Sequence, residues 1–62
     1  MEKKEVFIGY GMVKDTHAIF PASGFFSDFC EAYEYMKGYC NRDDLSDVWI
    51  EAKEVYILKE RL

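Results

Sequence analysis

The sequence predicts a small α+β domain of order β-β-α-β, a three-stranded antiparallel sheet with one helix packed on one face. Three observations lead there. The run Glu5–Lys14 alternates with a period of two, the stretch after Ser27 has helical spacing behind a capping residue, and the last third of the chain is rich in β-branched and aromatic residues.

In the first run, Val6, Ile8, Tyr10 and Met12 alternate with Phe7, Gly9, Gly11 and Val13, the pattern of a strand with one buried face. The larger set, Val6, Ile8, Tyr10 and Met12, is expected to face the helix. Lys14-Asp15-Thr16 supplies turn chemistry, and His17–Phe20 offers a short second strand that Pro21, lacking a ladder N–H, stops or confines to an edge. Ala22-Ser23-Gly24 then reads as a loop. Ser27 is the expected N-cap, with Asp28 and Glu31 placing negative charge where the helix dipole favours it, and the helix is expected from Asp28 to about Lys37 or Cys40. Gly38 either caps that helix or weakens it from within. Beyond the polar link Asn41–Asp47, residues 48–60 suit a third strand better than a helix, although Trp49, Ala52 and Val55 also have rough helical spacing.

Composition limits the rest. A chain of 62 residues makes a single domain, 1–62, and at this size folding removes only about 60% of the unfolded surface, so the core is small and an oligomeric contact or a larger partner is the usual source of extra stability. Half the residues are apolar, too many for a disordered tail. Twelve acids against eight bases give a net charge of −4, which disfavours nucleic acid as a partner and favours a basic protein surface. There is no apolar run near the ~20 residues that cross a bilayer and no signal-peptide pattern, so the expectation is a cytoplasmic protein with no membrane partner and with reduced thiols.

No constellation carries a chemical signature. In the stretch CEAYEYMKGYC, a continuous helix puts Phe29, Ala32, Met36, Tyr39 and Cys40 on one side, with Tyr33 at its margin. Cys30 falls outside that stripe and about 15 Å of rise separates it from Cys40, too far for a disulfide or a shared metal. Cys40 is expected in the core and Cys30 half-exposed. His17 is the only histidine, which excludes multi-histidine metal sites and leaves one base near neutral pH with no thiol signature to pair with. Asp43, Asp44, Asp47 and Glu51 lack the spacing and the glycine of a calcium loop. Gly9 and Gly11 lack the third glycine, the lysine and the following helix of a phosphate loop; in a strand, alternate glycines instead allow close approach of another backbone or mark a bulge. Neither a cofactor nor catalysis is expected.

One feature points outward. Phe7 and Val13 on the first strand, and Val55 and Ile57 on the third, fall on the face expected to lie away from the helix, which in a sheet with one covering helix should be polar. Unless a bulge near Glu54 turns some of them back into the core, or Phe25 and Phe26 simply plug the sheet end, they form with Trp49 and those two loop aromatics an apolar patch that needs a cover. The expected function is a small acidic, non-catalytic protein-interaction module that binds or occludes a larger partner, or pairs with itself as a homodimer. Phe7, Val13, Trp49, Val55 and Ile57 would give the apolar contact, and Glu31, Glu34 and Tyr35 the polar one. One concrete form is an inhibitor of the kind viruses and mobile elements encode, presenting carboxylates in place of phosphates. The alternative is a single-stranded nucleic-acid binder that stacks bases on Phe7, Tyr10 and Tyr56, with lysines and Arg61 gathered near the strand ends.

Overall fold

A computed structural model describes residues 2–58, so Lys59, Arg61 and the end of the expected third strand lie outside the described residues. Strand β1 (Glu2–Val13) turns through Lys14–Ala18 into a short β2 (Ile19–Pro21), helix α1 (Phe29–Met36) runs on into a 3₁₀ turn over Lys37–Asn41, and β3 (Leu45–Ile57) closes the chain. The sheet is antiparallel in the order β2-β1-β3, the small α+β architecture expected from the sequence.

The long strands form a ribbon whose register is continuous from Glu2 opposite Ile57 to Met12 opposite Asp47. The one irregularity lies between Met12 and Val13, where the chain bends toward the turn, and not near Glu54. In that turn the Val13 N–H donates to the Ala18 carbonyl and His17 adopts a left-handed φ of 62°. Such a conformation is uncommon outside glycine, and histidine is among the residues enriched there.

The helix covers the opposite face of β1 from the one expected. A methyl group on Gly9 would meet Met36 Sδ within 2.1 Å, one on Gly11 would meet the Phe20 ring at 3.0 Å, and Phe7 makes an edge contact with Phe29 at 5.9 Å. The glycine face is therefore the helix face, shared with Val48, Ile50 and Ala52, the cross-strand partners of Gly11, Gly9 and Phe7. The physical reason is room: the missing side chain at Gly9 leaves a trough that Met36, 2% exposed, fills, and the one at Gly11 leaves space for Phe20 and Leu45. Ala32 and Leu45 complete the buried residues of this side.

Val6, Ile8, Tyr10 and Met12 face the other way, yet Val6 and Ile8 are buried. They sit on the middle strand opposite Lys53 and Glu51. The Lys53 ammonium reaches to 5.7 Å from the Tyr10 ring, although Lys53 pairs with Val6 and Tyr10 lies four residues further on, so the two long side chains meet above Ile8. Burying each of these aliphatic side chains contributes roughly 1.5–3 kcal/mol.

The helix begins one residue later than expected. Asp28, not Ser27, is the N-cap: its backbone is extended and its carboxylate accepts from the Glu31 N–H at 3.3 Å. The α-helix ends at Met36, and the tighter 3₁₀ turn carries Gly38 and brings the Tyr39 hydroxyl to donate to the Ala22 carbonyl at 3.1 Å. The change of pitch rotates Cys40 out of the core position expected for it, and it is exposed, as is Cys30. The third strand is a strand throughout the described residues and starts at Leu45, before the polar link was expected to end.

Candidate interaction edge

The two edges of the sheet are treated differently. On the outer side of β1, the Phe7 N–H donates to the Phe26 carbonyl and the Phe7 carbonyl accepts from the Phe26 N–H in return, the Gly9 N–H donates to Ser23 Oγ at 2.8 Å, and the Gly9 carbonyl accepts from the Ala22 N–H. From Phe7 to Val13 that side is satisfied by β2 and the following loop, whereas the outward groups of Lys3 and Glu5 have no backbone partner among the described residues. It also fixes the polarity of the ladder: odd-numbered residues of β1 direct their backbone groups toward β2 and even-numbered ones toward β3. In the observed register, Trp49, Glu51 and Lys53 then bond inward to Tyr10, Ile8 and Val6. Val48, Ile50, Ala52, Glu54 and Tyr56 direct their N–H and C=O groups outward, where they have no partner among the described residues.

Beside this edge lies an apolar groove of about 280 Å³, lined by Phe29, Tyr33, Met36 and Cys40 from the helical side and by Val48 and Ile50 from β3. Phe29 and Tyr33 stack at 6.3 Å along its outer wall, both about half exposed, and Lys37 stands at its rim. A second depression of about 230 Å³ continues it past Leu45 and Asp47. The helix stops short of the ribbon's far end, where Tyr56, opposite Lys3, is 60% exposed.

The eight residues expected from the sequence to make contact are divided among three surfaces. Phe7 and Val13 lie on the helix face; Trp49, Val55 and Ile57 lie on the open face; the acidic residues and Tyr35 belong to α1. The apolar patch expected to unite the first five does not form, because the helix occupies the face that carries Phe7 and Val13. The open face is a network instead: Trp49 stacks on Tyr10 at 5.9 Å, its indole N–H donates to Glu51 at 3.0 Å, and Glu51 pairs with Lys53 at 3.4 Å. The indole, and then Lys53, hold the Glu51 carboxyl below its ordinary value, while the Tyr10 phenol, with Glu51 second, holds Lys53 above its own. On α1, Glu34 is paired with Lys37 at 3.0 Å. Tyr35 packs against Phe26 and Tyr39, whose hydroxyl raises the Tyr35 phenol. Of the aromatics the nucleic-acid alternative would use, Phe7 and Tyr56 share the helix face and Tyr10 lies on the open one.

Among the described residues no group of three or more His, Cys, Asp or Glu side chains is placed to hold a metal ion, and no helix is long and apolar enough to cross a membrane. Sequence reasoning missed the groove and the outward positions of β3. The outward set follows only from the pairing partner of β1. Comparison with known protein families, with characterised proteins and with solved structures finds no match.

Proposed function

We propose that this chain is a non-catalytic protein-interaction module whose contact element is the outer edge of β3 together with the groove beside it. The observation that carries this reading is the contrast between the edges. Folded proteins blunt exposed edge strands by keeping them short, bulged or covered, as the outer side of β1 is here from Phe7 onward. By contrast, β3 runs for 13 residues with a continuous register against β1 up to Asp47 and an unpaired outer side. An extended segment of a partner protein added there gains main-chain hydrogen bonds from the edge, and every second side chain can enter the groove under α1. The net charge of −4 favours partners with basic flanks.

Selection from a random decapeptide display library tests it, with the chain immobilised sparsely and Ala52→Pro as the counter-screen. Proline removes an outward N–H and leaves the ladder to β1 intact. Expected are peptides with alternating apolar residues that bind the unmodified chain and lose at least about tenfold in affinity on the variant. Peptides that bind both chains equally, or no selectable peptide, would contradict the reading.

A further inference from the structure

Building on that reading, we propose that the edge of β3 is made for a second copy of the same chain, paired antiparallel about a two-fold axis through Ala52. Only even-numbered residues of β3 offer outward backbone groups, so a symmetric pair must join even positions to even positions. The permitted registers therefore differ by steps of two residues, and their side-chain partners discriminate between them. With Ala52 on the axis, Glu51 lies opposite Lys53 of the other copy twice over, Trp49 lies opposite Val55, and Val48 opposite Tyr56. One step one way sets Glu51 against Glu51, and one step the other way sets Lys53 against Lys53, like charges that cross-strand pairing disfavours. Centring on Ile50 avoids that clash through Asp47 and Lys53, but leaves Tyr56 and Ile57 without partners.

The Ala52 register also resolves the least supported part of the fold. In each chain, residues beyond Lys53 form with Glu2–Glu5 a two-stranded ribbon past the end of the helix, and such a ribbon is marginal in water by itself. In the pair, that ribbon end lies beside Asp47–Ile50 of the other copy, the stretch whose Val48 and Ile50 line the groove. Tyr56, 60% exposed in the single chain, then stands opposite Val48 at the groove, and Glu54 stands opposite Ile50, on the side where Lys37 forms the rim. The product is a six-stranded antiparallel sheet with both helices on one face and about ten new ladder hydrogen bonds, two per outward pair.

The test is a charge exchange read by light scattering from micromolar to millimolar concentration. The unmodified chain is expected to be a dimer at the upper end. Glu51→Lys alone and Lys53→Glu alone should each dissociate at least about tenfold more readily, since each sets like charges opposite one another twice. An equimolar mixture should recover the dimer as a one-to-one heterodimer, because the mixed pair restores opposite charges at both places. Intrachain loss of the Glu51–Lys53 contact occurs in both variants and cannot produce that recovery. As a check that does not depend on those variants folding, Ala52→Cys in a chain also carrying Cys30→Ser and Cys40→Ser should form an intermolecular disulfide on mild oxidation, the paired Cα atoms being about 5.5 Å apart, whereas Glu54→Cys in the same background should not. A dimer without mixed recovery and without the Ala52→Cys cross-link overturns this register. A chain that stays monomeric throughout overturns self-pairing; if it still captures strand-forming peptides at β3, the interaction-module reading stands, and if it does not, both fall.

Discussion

Replacing Gly9 with alanine should destabilise the protein, and the size of the effect follows from Met36. The added methyl would lie 2.1 Å from Met36 Sδ, 2.4 Å from Cγ and 2.7 Å from Cε, so most of the side chain must move and not its tip alone. Met36 is 2% exposed, leaving it little free volume to move into. Overpacking of a core position costs typically ~1–3 kcal/mol, and the gain from removing a strand glycine offsets roughly 0.5–1 kcal/mol of that. A net loss of about 1–2 kcal/mol is expected, which lowers the melting temperature by roughly 4–8 °C per kcal/mol in a domain of this size. Urea denaturation is the assay, run as a double-mutant cycle with Met36→Ala. Met36→Ala alone should cost about 2–5 kcal/mol through the cavity it leaves. The Gly9 methyl should fill part of that cavity, so the double variant should be more stable than the sum of the single effects by at least ~0.5 kcal/mol. A neutral Gly9→Ala whose effect simply adds to that of Met36→Ala would refute the placement of the helix on the glycine face.

Three further outcomes follow. Asp28→Ala removes the only side-chain cap of α1 and should lower stability by ~0.5–2 kcal/mol in thermal unfolding, whereas Ser27→Ala, at the position the sequence favoured, should change it little. Ser23→Ala leaves the part-buried Gly9 N–H without its acceptor and should cost about 1–3 kcal/mol by the same measurement. Asp44, hydrogen-bonded to the Arg42 guanidinium at 2.7 and 3.1 Å, is held below the ordinary carboxylate range first by those bonds. A carboxyl depressed on folding contributes stability that is fully present above its unfolded value and is lost as pH falls through the folded one. NMR titration should therefore place the Asp44 midpoint below that of an unpaired aspartate, and Arg42→Gln should return it to the ordinary range and remove that part of the acid sensitivity.

The element order could be read from the chain because each element has its own local signal: period two in β1, a carboxylate cap before α1, β-branched residues in β3. The face of β1 could not. Val-Ile-Tyr-Met on one parity and Phe-Gly-Gly-Val on the other both look apolar, and size alone favoured the wrong side. Burial rewards volume, but a helix over a sheet also needs space, and here Gly9 provides it for Met36 while Gly11 makes room for Phe20 and Leu45. The same inversion split the expected contact patch, since Phe7 and Val13 fell on the helix face while Trp49 joined Tyr10, Glu51 and Lys53 on the open side. Cys40 was misplaced for a subtler reason: the switch to 3₁₀ pitch after Met36 changes the rotation per residue, and helical-wheel reasoning beyond that point fails. The outward row on β3 was beyond reach for any local pattern, because which backbone groups point outward depends on how β1 is paired on its other side.

The most direct test of the account is residue-resolved amide hydrogen exchange on the unmodified chain, first dilute and then either concentrated or saturated with a selected strand peptide. If the outer edge of β3 is the contact element, the N–H groups of Ile50, Ala52 and Glu54 should exchange fast in the dilute chain and slow by about tenfold or more on association, while those of Glu51 and Lys53, already bonded to β1, are protected from the start. Association that leaves the outward amides fast would contradict it and move the contact to another surface.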